Sequence, residues 1–405
     1  MGVTVGPVSP DRAEEVALAM GTAFGFDPEA DRVERFRNTF EWDRMRTAYD
    51  GDKIVGTIGA FSLDMTVPGS TLPCAGTTVV AVMPTHRRRG ILRMMIDSHL
   101  DDARHRNEPL AALWASDSGI YGRFGYGEAA LGADVRVARD HGSFHRLAAR
   151  PSPIRLVTAE EAAELLPPFY ERVRMSRPGF FARSDQWWKN RRLRDPESER
   201  DGATAFRYAV TEENGAVTGY VQYRFKSNWT EGHGAGDVRI RELLGSTAES
   251  WAGLWRFVLD HDLTARIEAS ERPVDDPLFG LLSAPRRAHV TLSDSLWVRV
   301  MDVKTALEGR SYADTAGTVI QVHDPIDASL TKWRLDLSPE GSQVTPTDAD
   351  AEVELDLEDL SACFMGRSRF RQLALAGRLN GEPSNIAALE RAFAWSPAPW
   401  CPEVF

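Results

Sequence analysis

One segment, residues 79–92, restricts the fold of this chain more than any other stretch. It begins with apolar residues that predict a short buried strand, which Pro84 ends because proline cannot donate a backbone hydrogen bond to a neighbouring strand. Three arginines and Gly90 follow, and apolar residues then recur at spacings of three and four, which predicts a helix over residues 92–106. The segment therefore predicts a strand, a basic turn and a helix.

The basic turn has the properties of a phosphate-binding site. The first backbone N–H groups of a helix lack partners within the helix, and the helix dipole places partial positive charge there. Gly90 lets the backbone approach an anion closely, and the arginines add charge-assisted hydrogen bonds. For an isolated Arg-Arg-Arg-Gly sequence, a solvated turn without a ligand is the simpler interpretation, so the surrounding motifs decide between the two.

Length and composition predict a globular chain with more than one domain. The 405 residues are enough for two or three hydrophobic cores. There is no apolar run of a membrane-spanning length and no basic region followed by an apolar stretch at the N-terminus, so we expect neither a membrane span nor a secretory signal. A cytoplasmic location is the resulting expectation. The net charge of −11 argues against a general nucleic-acid binder.

The sequence predicts neither a metal site nor a disulfide framework. The three cysteines, Cys74, Cys363 and Cys401, are far apart and form no Cys-x-x-Cys pair. His141 and His145 have helical spacing, but they lack the glutamate of a His-Glu-x-x-His zinc motif.

The first two thirds of the chain contain a weak internal repeat. Residues 44–56 and 206–219 both predict a strand, a tight glycine-containing turn and a second strand, and a third strand and a helix follow each of them. Two copies of one α/β unit explain this pattern, although chance similarity is an alternative because hairpins are common. The second copy has Leu244-Gly245-Ser246-Thr247 in place of the arginines, so we expect it to lack the phosphate site.

The last part of the chain, from about residue 289, predicts a separate α+β unit. Its expected strands cover residues 295–301, 318–322, 329–337 and 352–357, and its expected helices cover residues 357–365, 370–376 and 386–393. This pattern resembles a small sterol-carrier domain and contains no catalytic motif.

Two motifs in the first part of the chain resemble those of the GCN5-related N-acetyltransferases. The first is similar to the Arg/Gln-x-x-Gly-x-Gly/Ala loop that holds the pyrophosphate of acetyl-CoA, and it reads Arg87-Arg88-Arg89-Gly90-Ile91-Leu92, with Leu92 in place of the small residue. The second, residues 113–126, is similar to the final motif of that superfamily and lies at the expected spacing. Together they resemble the enhanced-intracellular-survival (Eis) family of aminoglycoside and amine acetyltransferases, and this resemblance covers the whole chain.

The resemblance implies a fold of mixed α/β and α+β class. It consists of tandem GCN5-related acetyltransferase domains, the second degenerate, followed by a sterol-carrier-like domain. We place the acetyl-CoA-binding domain at residues 1–150, the degenerate copy at 151–288, and the sterol-carrier-like domain with a catalytic tail at 289–405. The family further implies a homo-oligomer, specifically a hexamer, and no metal.

Acetyl-CoA is the co-substrate that the resemblance implies. Its pantetheine arm and thioester would lie beside the backbone of residues 80–82, and its pyrophosphate would lie against residues 88–93. The end of the next strand would complete the site. The expected cofactor-binding residues are Val80, Ala81, Val82, Arg88, Arg89, Gly90, Ile91, Leu92, Arg93, Ser116 and Asp117.

The resemblance also implies which groups move protons during catalysis. Residues 116–123 are expected to start a short helix on which Tyr121 acts as the general acid that protonates the CoA sulfur. A packing role is the alternative for Tyr121, and Tyr126 is a rival for the acid. The C-terminal carboxylate of Phe405 would be the general base, whereas without the resemblance a tail packed on its own domain would be preferred.

The implied reaction is acetyl transfer to primary amines such as aminoglycosides, polyamines or lysine side chains. Asp27 and Glu403 are the expected substrate-binding residues of an acidic pocket that attracts polycations. The alternative from a different class is a non-catalytic acyl-CoA-binding or assembly protein on the same scaffold.

Overall fold

The N-terminal part of the chain alternates strands and helices. The structure is a computed structural model that describes residues 2–147, 150–367 and 369–405. The first elements are β1 (Thr4–Pro7), α1 (Ala13–Phe24), α2 (Ala30–Thr39), β2 (Arg46–Asp50), β3 (Lys53–Val67), β4 (Ser70–Val82), α3 (Ile91–His105), β5 (Leu110–Trp114), β6 (Gly127–Glu128) and β7 (Leu131–Ala138).

The remaining elements fall into a middle and a C-terminal group. The middle group is β8 (Arg155–Val157), α4 (Ala159–Arg174), α5 (Asp185–Trp187), β9 (Arg207–Glu213), β10 (Ala216–Lys226), β11 (Trp229–Thr230), β12 (His233–Gly234), β13 (Gly236–Gly245), α6 (Ala248–Leu259), β14 (Thr264–Arg272), α7 (Leu278–Leu281), β15 (Ala288–Asp294) and β16 (Leu296–Val300). The C-terminal group is α8 (Val303–Glu308), β17 (Ala316–Asp324), β18 (Ser329–Leu337), β19 (Gln343–Pro346), β20 (Val353–Asp356), α9 (Leu357–Phe364), α10 (Phe370–Leu375), β21 (Leu379–Gly381) and α11 (Pro383–Phe393).

The first two sheets exchange strands. Their orders are β1-β2-β3-β4-β5-β16-β6 and β15-β7-β14-β13-β10-β9-β8, and the C-terminal sheet has the order β19-β18-β17-β20-β21. Strand β7 leaves the N-terminal part to join the second sheet, and β16 returns to pair with β5. The strand expected over residues 295–301 therefore belongs to the first sheet and not to the C-terminal unit. The domain boundaries placed at residues 150 and 288 leave out this exchange, because β7 lies before residue 150 but joins the second sheet, and β16 lies after residue 288 but joins the first.

The internal repeat is confirmed by the strand pairing. In the first part, the β2–β3 hairpin is followed by antiparallel β4, the helix α3 and parallel β5. In the second part, the β9–β10 hairpin is followed by antiparallel β13, the helix α6 and parallel β14. The same unit is thus built twice, with one helix crossing over between two parallel strands.

The helix predicted after the basic turn is present as α3. Its apolar face is buried and includes Ile91, Met95, Ile96, Leu100 and Ala103, which pack on the sheet. Because these side chains recur every three or four residues, one side of α3 covers β3 and β4 while the other side remains polar. The burial of this face holds α3 against the sheet and places the beginning of the helix beside the end of β4.

Strands β4 and β5 separate soon after they pair. Their parallel pairing covers only Cys74 with Leu110, Ala75 with Ala111, and Gly76 with Ala112. Beyond Gly76, β4 continues to Val82 with β3 as its one neighbour, among the described residues. The unpaired edge of β4 therefore opens a cleft in the first sheet.

The last residues of the chain return to the first two sheets. After α11, residues 394–405 form neither helix nor strand, and they run along the segment that joins α4 to α5. The Trp400 backbone N–H donates to the Pro178 carbonyl at 2.8 Å, and the Trp400 ring packs edge-on against Phe180. Gly179 is required at this crossing, because a Cβ atom there would lie 2.6 Å from the Trp400 carbonyl oxygen.

We predict that Asp359 makes the stability of the C-terminal domain depend on pH. Its side chain is 1% exposed, and burial raises its pKa to about 7 despite the opposing charge of Arg378. The unfolded pKa is about 4, so the folded state holds the proton more tightly. The free energy of unfolding therefore falls as the pH rises from about 4 to about 7. Asp359→Asn should flatten this fall, measured by urea unfolding across that range.

The control for this prediction is Asp314→Asn. Asp314 forms an exposed pair with Arg391, whose hydrogen bond lowers the pKa of the carboxyl group. Its removal should leave the fall between about pH 5 and 7 unchanged. An equal slope in the native chain and in Asp359→Asn would contradict the role given to Asp359.

Candidate active site

A cavity of about 790 Å³ lies in the cleft between β4 and β5. It is bounded by the edge of β4, the beginning of α3, the segment that follows β5 and the end of α1. The residues that line it are Ala23, Phe24, Val80, Ala81, Val82, His86, Arg87, Arg88, Gly90, Ile91, Leu92, Arg93, Ser116, Asp117, Ile120, Tyr121, Arg123, Phe124 and Pro325. The structure thus brings together every expected cofactor-binding residue except Arg89, whose side chain is exposed and lies outside the lining.

A bulge in β4 shapes the wall of the cavity. Thr57 pairs with Ala81 and Gly59 pairs with Thr78, so two residues of β4 lie opposite one residue of β3. Val79 takes up the bulge with a left-handed φ of 49°, and the Thr57 hydroxyl donates to its carbonyl at 2.7 Å. The bulge turns the backbone of the following residues, and their polar groups on the open edge are free to bond a ligand.

The beginning of α3 forms the cationic end of the cavity. Gly90 precedes the helix with a φ of 77°, a conformation that glycine adopts without strain. The backbone N–H groups of Ile91, Leu92 and Arg93 lie in the first turn, where a helix has no internal acceptor for them. The side chains of Arg87 and Arg88 line the same end. This arrangement of free N–H groups, helix dipole and guanidinium groups suits a phosphate.

The segment after β5 is a turn, so the helix expected over residues 116–123 is absent. The Asp117 carboxylate accepts the Gly119 N–H at 3.0 Å, and this local bond favours a turn over a helix. A single 3-10 turn, Gly122–Phe124, follows Tyr121. Ser116, Asp117 and Tyr121 nevertheless face the cavity.

The two tyrosines of this segment have different surroundings. Tyr121 is 3% exposed and lines the cavity, and burial, helped by the nearby Asp117 charge, raises its pKa to about 12. Tyr126 is fully buried outside the cavity lining, and its hydroxyl shares a hydrogen bond of 3.0 Å with the Thr77 hydroxyl. The two rings meet edge to face at 6.0 Å. Of the two tyrosines, Tyr121 is therefore the one that faces the cavity. Its raised pKa keeps its hydroxyl protonated at neutral pH.

The C-terminal residue borders a second, smaller cavity on β4. Phe405 is buried, and its ring meets the ring of Phe181 edge-on at 5.7 Å. This tail cavity has a volume of about 220 Å³ and is lined by Arg35, Phe36, Thr39, Phe40, Thr78, Val79, Arg191, Val404 and Phe405. Thr78 and Val79 directly precede Val80, so the two cavities meet the same strand at its bulge.

The structure does not bring Asp27 and Glu403 together in one pocket. Asp27 is exposed in the loop between α1 and α2. The Glu403 carboxylate is buried and lies 2.8 Å from the Arg183 guanidinium and 3.8 Å from that of Arg192. Its charge is therefore already balanced by two arginines.

Comparison with known proteins shows which family this chain is related to. Residues 4–129 match an acetyltransferase (GNAT) domain family, residues 179–300 match another, and residues 303–402 match a sterol carrier protein domain family. A Streptomyces avermitilis protein with the name "uncharacterized N-acetyltransferase" is 37% identical over 393 residues, which is 95% of each chain. "N-acetyltransferase Eis" of Mycobacterium tuberculosis is 36% identical, with 85% of this chain and 84% of that protein covered. The chain belongs to the Eis family of N-acetyltransferases.

A solved structure supports this assignment over the whole length. The crystal structure of Eis1 from Mycobacterium abscessus superimposes with a TM-score of 0.86 and 28% sequence identity, and all of both chains is covered. The expected fold, two acetyltransferase domains and then a sterol-carrier-like domain, is thus confirmed, as is the expected acyltransferase activity. GNAT acetyltransferases use acetyl-CoA.

Within the described ranges, no helix has the length and apolar character needed to cross a membrane.

In the second acetyltransferase domain of this Eis-family chain, a buried arginine lies at the corresponding place. Strands β13 and β14 also separate after Ile240, and the Arg272 side chain reaches from β14 to β13. Its guanidinium donates to the Leu243 carbonyl at 2.9 Å and to the Asp276 carboxylate at 2.6 Å. A buried arginine thus bonds β14 to β13, the strands that correspond to β5 and β4 of the first domain.

Several residues of the candidate site were not predicted from the sequence. Arg87 belongs to the basic motif, and Arg123 lies between Tyr121 and Phe124, so both had a local signal. Ala23 and Phe24 come from the end of α1, and Pro325 comes from the sterol-carrier-like domain. These three reach the cavity through tertiary packing, which no local pattern indicates.

We predict that Glu242 holds the tail in its place in this member of the Eis family. Its buried carboxylate accepts from Arg183 at 2.7 Å and from Arg192 at 2.9 Å, and both arginines also face Glu403. Glu242→Ala would leave buried guanidinium groups short of negative charge. The free energy of unfolding should fall by about 3 kcal/mol or more, measured by urea unfolding, and carboxypeptidase should release the tail faster.

Glu212→Ala is the matched control for this experiment. Glu212 pairs with Arg155 on the surface, where both side chains are at least 31% exposed. Loss of such a pair should cost at most about 1 kcal/mol. Equal effects of the two substitutions would show that the buried cluster does not hold the tail.

Proposed function

We propose that this protein transfers the acetyl group of acetyl-CoA to primary amines, with Tyr121 as general acid and the C-terminal carboxylate of Phe405 as general base. The observation that carries the proposal is the cavity in the first domain. This cavity is lined by the open edge of β4, the cationic beginning of α3 and the side chain of Tyr121, which carries a hydroxyl group. The proposed acceptors are aminoglycosides, polyamines or lysine side chains.

The lining of the cavity suits the successive parts of acetyl-CoA. Arg87, Arg88 and the first N–H groups of α3 would hold the pyrophosphate through charge-assisted hydrogen bonds. The pantetheine arm, which contains amide groups, would bond to the open edge of β4 at residues 80–82. Backbone N–H groups near the bulge would then polarise the thioester carbonyl, the role of an oxyanion hole.

Tyr121 would protonate the leaving sulfur. When the amine nitrogen attacks the acetyl carbonyl and the carbon–sulfur bond breaks, the thiolate takes the Tyr121 hydroxyl proton. The raised pKa, about 12, keeps the hydroxyl protonated before the step. Tyr126 is less suited because its hydroxyl is bonded to Thr77 outside the cavity lining.

The carboxylate of Phe405 would remove the proton from the attacking amine. The tail that carries it is fixed at two carbonyl groups: Arg192 donates to that of Pro402 at 3.0 Å, and Arg191 donates to that of Val404 at 2.8 Å. These bonds reduce the freedom of the terminus before a substrate binds. They support a defined position for the base on β4, next to the bulge.

The resemblance further suggests a cytoplasmic enzyme that assembles as a hexamer. Both statements remain predictions for this chain. Gel filtration with light scattering tests the hexamer directly.

We predict that Tyr121→Phe lowers kcat for acetyl transfer by about 100-fold or more. The substitution removes only the hydroxyl group, so the dissociation constant of acetyl-CoA should stay within a few-fold of the native value. Thiol release with a panel of amines gives kcat, and calorimetry gives the dissociation constant. The control is Tyr126→Phe, which should keep kcat close to native. A Tyr121→Phe variant with native kcat would refute the proposed acid.

We predict that deletion of Phe405 abolishes acetyl transfer and leaves acetyl-CoA binding intact. The deletion moves the terminal carboxylate back by one residue and removes the ring that packs on Phe181. A chain with a single alanine appended after Phe405 separates the two effects, since it keeps the ring and displaces the carboxylate. Loss of turnover in both chains identifies the carboxylate, and near-normal turnover in either would exclude it as the base.

A further inference from the structure

The segment that carries Tyr121 is a closed turn that is rich in glycine. Residues 121–127 read Tyr-Gly-Arg-Phe-Gly-Tyr-Gly, and we call them the tyrosine turn. The Tyr121 carbonyl accepts the N–H group of Phe124 at 2.9 Å and that of Tyr126 at 3.3 Å. The turn is thus bonded to the backbone of the residue that faces the cavity, and a displacement of the turn displaces Tyr121.

Two glycines of the tyrosine turn allow the sterol-carrier-like domain to approach closely. A Cβ atom on Gly127 would lie 2.1 Å from the Glu358 carbonyl oxygen, and one on Gly122 would lie 2.6 Å from a Glu358 carboxylate oxygen. Glu358 belongs to the first turn of α9. The beginning of α9 therefore packs directly on the backbone of the tyrosine turn.

Arg299 of β16 lies beside the third glycine. Its side chain is 1% exposed, and a Cβ atom on Gly125 would lie 2.0 Å from its Nη1 atom. This Nη1 donates to the Phe124 carbonyl at 2.7 Å, and Nη2 donates to the Asp324 carboxylate at 2.5 Å. Arg299 thus joins the tyrosine turn to the end of β17 in the sterol-carrier-like domain.

The same guanidinium group connects two segments of the wall of the first-domain cavity. Phe124 lines this cavity, and so does Pro325, which directly follows Asp324. The second carboxylate oxygen of Asp324 accepts the Ile326 N–H at 3.0 Å, so the chain on both sides of Pro325 is held. Arg299 itself is not part of the lining. It can therefore affect a bound substrate only through these segments.

The chemistry of arginine explains why this residue type suits the position. A guanidinium group is planar and presents its N–H groups in a fixed fork, so two acceptors on different nitrogens are held at a fixed relative position. In the interior, where water does not compete, charge-assisted hydrogen bonds of this kind are strong. The two bonds of Arg299 thus restrict the position of the tyrosine turn.

We propose that Arg299 is a positioning residue for the general acid, and that it holds the tyrosine turn against the sterol-carrier-like domain so that the Tyr121 hydroxyl faces the thioester. This inference rests on the proposed role of Tyr121. Proton transfer requires the donor and acceptor atoms at hydrogen-bond distance, so a small shift of the hydroxyl slows the chemical step more than it weakens binding. The sterol-carrier-like domain then contributes to catalysis at the acid as well as through the tail.

The test is Arg299→Lys, made alone and together with Tyr121→Phe. Lysine keeps a positive charge beside Asp324, but one ammonium group does not reproduce the fork that holds both acceptors. With the amine that gives the native chain its highest turnover, kcat should fall roughly tenfold or more. The dissociation constant of acetyl-CoA, measured by calorimetry, should stay within about threefold of the native value.

The double variant distinguishes positioning from general damage to the fold. Because Arg299 acts through the Tyr121 hydroxyl, Arg299→Lys should lower kcat by less than about twofold when Tyr121 is already phenylalanine. A defect that is independent of Tyr121 would lower kcat by the same factor in both backgrounds. That result would overturn the proposal.

Arg310→Lys is the matched control. Arg310 is 4% exposed, donates to the carbonyl groups of Phe364 and Phe393, and lies outside the lining of the first-domain cavity. This variant also replaces a buried guanidinium that joins two segments, so it should lower the free energy of unfolding while kcat stays near native. An equal fall in kcat for Arg310→Lys and Arg299→Lys would overturn the role of Arg299.

Asp324→Ala decides the question if Arg299→Lys does not fold. The Asp324 side chain is 20% exposed, and its removal releases one side of the guanidinium while the bond to Phe124 remains. We expect kcat to fall by about threefold or more, again only when Tyr121 is present.

The outcomes separate this inference from the proposed function. Native kcat in Arg299→Lys, or in Asp324→Ala where that variant decides, would overturn the positioning role and leave acetyl transfer by Tyr121 intact. Native kcat in Tyr121→Phe would overturn the proposed acid and this inference with it.

Discussion

Glu242, Arg183, Arg192 and Glu403 form a cluster of charges in the interior of the protein. Their side chains are at most 3% exposed, and Glu403 comes from the tail of the chain while the others come from the second acetyltransferase domain. Burial alone raises the pKa of Glu242, but the two arginines outweigh it and lower the pKa to about 2. Each charge is tolerable only because the others are present. The tail therefore cannot leave without exposing the second domain to unbalanced buried charge.

This dependence explains what the second acetyltransferase domain contributes. It has the strand order and crossover helix of the first domain, but Arg272 bonds β14 to β13 and pairs with Asp276. The ring of Trp400 lies 5.0 Å from the Arg272 guanidinium, and its indole N–H donates to the Glu271 carbonyl. Arg272 and Glu271 thus belong to the surface against which the tail packs. A domain without a phosphate loop still determines where the chain terminus meets the first domain.

Local patterns were enough to predict most of the residues that line the cavity of the first domain. The apolar spacing of α3 and the arginines beside Gly90 lie within one continuous segment, and the physical reason for the site is contained in it. The prediction of a helix around Tyr121 was wrong because the Asp117 side chain bonds to a nearby N–H and favours a turn. The exchange of β7 and β16, and the burial of Glu403 against Arg183, depend on partners more than a hundred residues away. No spacing rule within the tail indicates such partners.

The cavity of the first domain and the tail cavity are built mostly from different parts of the chain. The cavity of the first domain is formed mainly by β4, α3 and the turn after β5, which also carry the core of that domain. The tail cavity shares only the bulge of β4 with them, and its other residues come from α2, the segment after α2, the segment after α5 and the end of the chain. A change at Phe36 or Val404 therefore alters the tail cavity without touching the residues that line the cavity of the first domain. Under the proposed function, acceptor preference can change through side chains of α2 and the tail while the acetyl donor stays the same.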